Sequence, residues 1–561
     1  MNSHKRNFFL YLILGLVATV FCIKQIGEPD VWWQIRTGQY ILEHGSVPQQ
    51  DVFSYTHAGV EWVNVKWGTE VLMALISNIL GPEWLMLFTW LLLLGIILFT
   101  LSSFLILFKG SNTSETVNFS WPVFAFFLLI IGLSFRINGR PEVVSYFFTS
   151  LYLFLFIRYH HKPDYWIFAL IPLQCLWANM HEAYGVGVVM MGVFLLENVY
   201  RYVTKKTSKR VFTTQIGAVL LAFLAPSIHP FGVQMIWHPY NIFTQLGDNK
   251  FTSELLSITA DGYFNVAAGI MLVMFICIVL FFFRSRKEFK AIPITLLLLL
   301  MAFIFLALKA QRNIPFFLIA ASPLVALLLV RFKASRAVYF ISILSGVGIY
   351  LAVVSGAFYH KFLPKEKYGL RVDPKRSVIG AANYINKHVE SQKAFADYLS
   401  SSYFLWAVPD FKTFVDLRDL DIFPSDFMGN VIRLYQYPTN PVNGKAIWDL
   451  VAEDDGFTYV ALLNRQDFFP LHQYLNKNES WALAYADPNL SIYLKNSALL
   501  QAQYNEALNT DFDKKFHPYG ELQTSSSAKV ISKLFWPFYQ EEDMSKLNYI
   551  KVKSYLKAAF Q

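Results

Sequence analysis

Charge is scarce in this chain: Asp, Glu, Lys and Arg make up 16% of 561 residues, against 55% hydrophobic and 17% aromatic. So apolar a composition at this length excludes a soluble protein and describes one that crosses a bilayer many times. The net charge of +9 does not point to nucleic acid, because Lys and Arg stand between apolar runs instead of forming a patch with stacking aromatics. Cysteine is rarer still. Cys22, Cys175 and Cys277 lie far apart, each in an apolar run, which excludes a disulfide framework and a zinc site. A glycine-rich phosphate loop, a nucleophile elbow, a zincin motif and an internal repeat are also missing, so no sequence motif marks nucleotide, serine-hydrolase or zinc-protease chemistry.

What the chain has in abundance is long apolar runs. They fall at 8–26, 84–108, 119–136, 141–157, 164–179, 183–200, 211–226, 264–283, 291–309, 313–330 and 337–358, and predict about eleven transmembrane helices. The run Thr69 to Leu80 is too short to span and predicts an interfacial or re-entrant helix. Lys5 and Arg6 precede the first run, and no small-residue cleavage site follows it, so it reads as a retained anchor. Cations then concentrate in alternate loops, for example Arg201, Lys205, Lys206, Lys209 and Arg210. By the positive-inside rule this predicts a cytoplasmic amino terminus, with the segment 27–70 and everything after the last run outside.

The first outside loop opens with two carboxylates, Glu28 and Asp30, where the first run leaves the hydrocarbon. Trp32, Trp33, Tyr40, Trp62 and Trp67 surround them, amphipathic rings suited to the headgroup level. The spacing predicts a helix from Val31 to His44 with Trp32, Ile35 and Leu42 on one face, stopped by Gly45 and Pro48. Asp30 reads either as the helix cap or as a chemical group, and the two are compatible. Asp51 reads as a turn residue or a substrate contact.

Further polar clusters fall at the outside ends of the runs. They are Arg136, Asn138, Arg140 and Glu142; Asn179, His181 and Glu182; His229 and His238; Glu254 and Asp261; and Lys309, Gln311, Arg312 and Asn313. Charges at a membrane edge can line a substrate path, and Arg140, His181 and Arg312 carry the most weight. The plainer readings are snorkelling arginines and loop histidines.

Beyond about Pro364 the runs shorten. Ala394–Tyr398, Thr413–Leu417, Tyr459–Leu463, Trp481–Ala486 and Ser491–Leu494 predict strands. Val378–Val389, Tyr403–Val408, Phe427–Tyr435 and Ala446–Ala452 predict helices. The expected organisation is a transmembrane domain at 1–363, an extracytoplasmic α/β domain at 364–500 and a mainly helical tail at 501–561. Asp416, Asp419 and Asp421 have a metal-like spacing, although caps or solvated loops explain such residues more simply. Asp454-Asp455-Gly456 reads as a turn.

The stretch Glu28-Pro29-Asp30 with Trp32-Trp33, followed by Gly38, Gly45, Pro48, Asp51, Phe53-Ser54 and Trp62, resembles the first extracytoplasmic loop of GT-C type membrane glycosyltransferases, in a bacterial branch using polyprenyl-phosphate sugars. Glu28 stands where the family pattern has Asp. The resemblance implies a GT-C-like polytopic α-helical fold in the bacterial cytoplasmic (inner) membrane. It implies hexosyl or pentosyl transfer from a polyprenyl-phosphate-linked sugar to a glycan, lipid or protein acceptor. Asp30 would be the general base and Glu28 its assistant, with Trp32, Trp33, Asp51, Arg140, His181, Glu182 and Arg312 binding substrate. Glu28 and Asp30 would also be the ligands of any divalent metal, Mg or Mn. A transporter or flippase for lipid or polysaccharide, and a non-catalytic assembly factor, are the alternative readings.

Overall fold

The structure, a computed structural model, describes residues 3–111, 117–245, 257, 265–284, 292–390, 393–418 and 421–560. Glu254, Asp261 and Asp419 lie outside the described residues. All eleven apolar runs are helical over most of their described length, and eight of these helices are long and apolar enough to cross a membrane. The remaining three, Val123–Leu133, Tyr165–Ala178 and Ile294–Lys309, are shorter. Their shortening has local causes. The run 119–136 loses its start to a turn at Trp121-Pro122 and its end to the bend before Pro141, where Gly139 has φ +75°. The chain is a multi-pass α-helical membrane protein.

It divides into two compact units. The first contains Met1–Lys24, Trp84–Gly369 and Leu534–Pro537. Its central helix is Ile314–Leu329, buried along almost its whole length against Leu85–Ser111, Val123–Leu133 and Val266–Arg284. Polar groups inside this unit come with partners. Arg136 pairs with Glu142, both buried. Lys24, 1% exposed, reaches Asn138, the Ser134 carbonyl at 3.3 Å and Glu366 at 3.6 Å.

The second unit contains Gln25–Glu83, Leu370–Lys533 and Phe538–Gln561. The first loop is therefore grouped with the carboxyl-terminal α/β residues. Backbone bonding explains this. Strands β1 (Lys393–Ala396), β2 (Lys412–Thr413), β5 (Tyr459–Leu463), β6 (Trp481–Ala486) and β7 (Leu490–Lys495) form a mixed sheet in the order β2-β1-β5-β7-β6. β1 runs parallel to β2 and β5, whereas β7 is antiparallel to β5 and β6. Loop residues 53–56 extend this sheet past β2: Tyr55 N–H donates to the Thr413 carbonyl at 3.1 Å, and Thr413 N–H to that of Phe53 at 3.1 Å. A separate hairpin pairs β3 (Pro441–Val442) with β4 (Lys445–Ala446).

Two helices of the loop, Asp30–His44 and Trp67–Leu80, cross in contact at Gly38, where a Cβ would lie 2.0 Å from the Glu70 carbonyl oxygen. Only glycine fits there. The helix ends as expected at Gly45, in the left-handed region at φ +67°. Leu42 does not share the buried face of Trp32 and Ile35, being 44% exposed. The headgroup expectation also fails for three tryptophans, since Trp32, Trp33 and Trp62 are 1%, 3% and 0% exposed. Trp32 packs against Tyr403 and Trp406 at centroid distances of 4.8 and 4.7 Å, so these rings form an aromatic core of the second unit.

Candidate functional site

The acid pair sits at the start of the Asp30–His44 helix. That helix begins one residue before the expected Val31, with Pro29 in the cap position, so Asp30 belongs to its first turn. Negative charge is favoured there by the helix dipole. The Asp30 Oδ1 accepts from the Trp33 indole Nε1 at 3.3 Å, the contact expected from two side chains three residues apart on a helix. Glu28, Pro29 and Asp30 are all half-buried, which leaves the carboxylates within reach of a ligand.

The preceding backbone is clamped. Ile26 N–H donates to the Arg371 carbonyl at 2.9 Å, and Asp373 N–H returns a bond to the Ile26 carbonyl at 2.8 Å. This brings in a residue that sequence reasoning missed. Arg376 Nη2 donates to Glu28 Oε1 at 3.1 Å, and the two side chains keep 22% and 20% exposure. Its shaft lies across Gly27, where a Cβ would come within 2.8 Å of the Arg376 Cδ. The only sequence signal was a basic pair, Lys375-Arg376, just after Asp373.

Trp33 also carries the Lys66 ammonium 4.8 Å above its ring, and Lys66 reaches Asp421 at 3.4 Å. Asp51 is different. It is 3% exposed, and its oxygens accept from Phe53 N–H at 3.0 Å, Ser54 N–H at 3.2 Å, the Ser54 hydroxyl and Arg418 Nη1 at 2.6 Å. Arg418 bonds Asp416 through Nε at 2.9 Å and Nη2 at 2.7 Å, and lies 4.9 Å from the Trp62 ring centroid and 5.2 Å from that of Phe53. Burial opposes the charge on Arg418, but Asp416 and Asp51 outweigh it and hold the guanidinium firmly protonated. The turn reading thus describes Asp51, with an added buried ion pair, and its place as a substrate contact is withdrawn. Asp416 likewise serves Arg418.

In the first unit the expected residues fall in separate settings. His181 is buried, its Nδ1 bonded to the Ser145 hydroxyl at 2.8 Å, and the Trp177 indole donates to the same hydroxyl at 2.8 Å. Arg140, Glu182 and Arg312 are half-buried. The Arg312 carbonyl accepts from the Tyr146 hydroxyl at 3.2 Å. Glu182 faces His238, whose basicity is lowered by burial and partly restored by that carboxylate.

Among the described residues, no group of three or more His, Cys, Asp or Glu side chains gathers to hold a metal ion. Glu28 is already faced by a guanidinium. Glu28 and Asp30 would be the residues to hold a divalent cation beside a substrate phosphate, where it would offset the developing charge.

Several solved structures share this architecture. The oligosaccharyltransferase of Archaeoglobus fulgidus in its apo form matches with a TM-score of 0.54 and 13% identity, covering 99% of this chain and 82% of that one. ArnT from Cupriavidus metallidurans, bound to undecaprenyl phosphate, matches at 0.50 and 12%, covering 89% and 99%. The mycobacterial arabinofuranosyltransferase AftD matches at 0.51 and 12%, with 89% of this chain spanning 42% of that one. No protein-family model and no curated protein matches the sequence. The chain has the GT-C fold of membrane glycosyltransferases.

Proposed function

We propose that the protein is a GT-C glycosyltransferase that moves a sugar from a polyprenyl-phosphate donor to an acceptor hydroxyl on the extracytoplasmic face of the bacterial inner membrane, with the amino terminus in the cytoplasm. The observation that carries the reading is a half-buried acid pair at a helix N-terminus, on a chain whose fold matches such enzymes over nearly its whole length. A neighbour solved with undecaprenyl phosphate supports the donor class.

Asp30 takes the proton of the acceptor hydroxyl as its oxygen bonds the anomeric carbon, while the bond from that carbon to the phosphate oxygen breaks and the phosphate leaves with the electron pair. Trp33 holds the Asp30 carboxylate in place through its indole N–H. Arg376 fixes Glu28 beside it, leaving Glu28 to orient the acceptor. The leaving phosphate calls for a cation, and a guanidinium suits it because of its paired donors; Arg140 and Arg312 are the residues assigned to that role.

The test is Asp30→Asn in membranes supplied with undecaprenyl-phosphate-linked sugars. An amide oxygen still accepts from Trp33, and Asn is tolerated at a helix start, so the fold should survive. Transfer should fall by about two to four orders of magnitude, the usual contribution of a general base. A folded Asn variant that transfers at a near-normal rate would remove Asp30 as the base.

A further inference from the structure

The helix Ser526–Phe535 is strongly two-faced. Its inner side holds Ala528 and Ser532, both 0% exposed, and the Ser532 hydroxyl accepts from Leu370 N–H at 2.9 Å. Its outer side shows Val530 at 63% and Leu534 at 69% exposure, one turn apart, and Phe538 beyond the helix end is 78% exposed. Lys529 and Lys533 flank the stripe, and the helix contains no acidic residue.

What covers that stripe can be read from where the helix ends. Leu534–Pro537 group with the transmembrane unit, and the Tyr350 hydroxyl donates to the Phe535 carbonyl. Tyr350 belongs to the candidate span Arg336–Val354 and stands about 6 Å along its axis from Val354. Leu344, Val347 and Leu351 of that span are 67%, 41% and 47% exposed, as side chains facing lipid are. The last turn of the Ser526–Phe535 helix, with Leu534 and Phe535, is therefore held beside the end of a candidate span, and half-buried Trp536 follows, a residue suited to that depth.

We propose that this helix lies in the lipid–water interface as a second kind of membrane contact, with Val530 and Leu534 entering the acyl boundary and Lys533 lying toward anionic headgroups, while Lys529 is paired with Glu541 at 3.1 Å. An interfacial helix of this kind buries its apolar face about 5–10 Å into that boundary. The proposal rests on the membrane-spanning character of the chain and not on its enzymatic reading.

The test uses the full-length protein in nanodiscs of zwitterionic and anionic lipid, with Cys22, Cys175 and Cys277 replaced and a single bimane-labelled cysteine placed at Val530 or Leu534. Labels at Leu344 and at exposed Lys445 serve as lipid and water references. Brominated lipids should quench both helix positions well above the Lys445 reference, more strongly when the bromines sit near the headgroup end of the chains, and iodide should quench them less than Lys445. Two positions are used so that one poorly folding variant does not decide the matter. Lipid quenching no greater than at Lys445 overturns the proposal. If iodide quenches freely the face is in water, and if neither quencher reaches it another protein surface covers it.

Discussion

Two carboxylates of the first loop, Asp51 and Glu28, are held in opposite ways. Asp51 is sealed with Arg418 and Asp416, all three side chains at 0% exposure and ringed by Phe53 and Trp62. Arg376 donates to Glu28 at 3.1 Å, with a fifth of each side chain open. The first arrangement is built to define a structure, because separating a buried ion pair leaves uncompensated charge in the interior. The second keeps both groups partly open to solvent. A carboxylate beside an arginine is thus not by itself a sign of a site; exposure separates the tie from the tool.

The comparison breaks most sharply at Arg418. Arg418→Met leaves Asp51 and Asp416 buried without their cation, and should destabilise the second unit by about 3–5 kcal/mol. Thermal or denaturant unfolding of the purified protein checks this, and a loss below about 1 kcal/mol, the scale of an exposed pair, would erase the distinction.

A buried carboxylate without a cation sharpens it. Asp487 accepts only from neutral groups, Tyr485 O–H at 2.7 Å and the Asn489 and Leu490 N–H groups at 2.7 and 2.9 Å. Burial pushes its pKa up from 3.8 to about 6. Between those values the folded state holds more protons than the unfolded one, so this group's contribution to stability falls as pH rises through the window. Asp487→Asn should therefore gain on the natural protein by up to about 3 kcal/mol between pH 4 and 6, since each pKa unit is worth about 1.4 kcal/mol. Parallel melting curves over that range measure it, and parallel pH dependence of the two proteins would contradict it.

The smallest expected stability effect is at the open pair. Arg376→Ala should change stability by less than about 1 kcal/mol, yet reduce sugar transfer, and Arg376→Lys should restore part because it keeps the charge without the fork. Transfer unchanged in both variants would make the Arg376 contact incidental.

Much of this was legible in the sequence. Tyr459–Leu463 and Trp481–Ala486 are strands with the expected bounds, and the helix after the acid pair stops at Gly45 as a left-handed glycine should. The hairpin turn was equally readable but passed over: Asn443 and Gly444 both have positive φ, at 51° and 81°, the pair that a tight two-residue turn requires. The tryptophans misled because an amphipathic ring suits a headgroup layer and an aromatic core equally well, and composition does not tell them apart. Arg376 and Arg418 were out of reach for another reason. Their partners lie 348 and 367 residues away in the chain, and periodicity carries no information about such pairings.

The pairing of residues 53–56 with the sheet has a temporal consequence. This segment pairs with Thr413, and the Thr56 hydroxyl meets the Phe414 carbonyl across 358 residues. At about 5–20 residues per second, a ribosome needs roughly 20–70 seconds to make the intervening chain. For that interval the loop carrying Glu28 and Asp30 has no sheet to join and no Arg418 to close over Asp51. The acid pair is thus among the first polar residues to leave the first apolar run and among the last to acquire its final surroundings, so a chain interrupted before β2 carries the acids without the sheet that frames them.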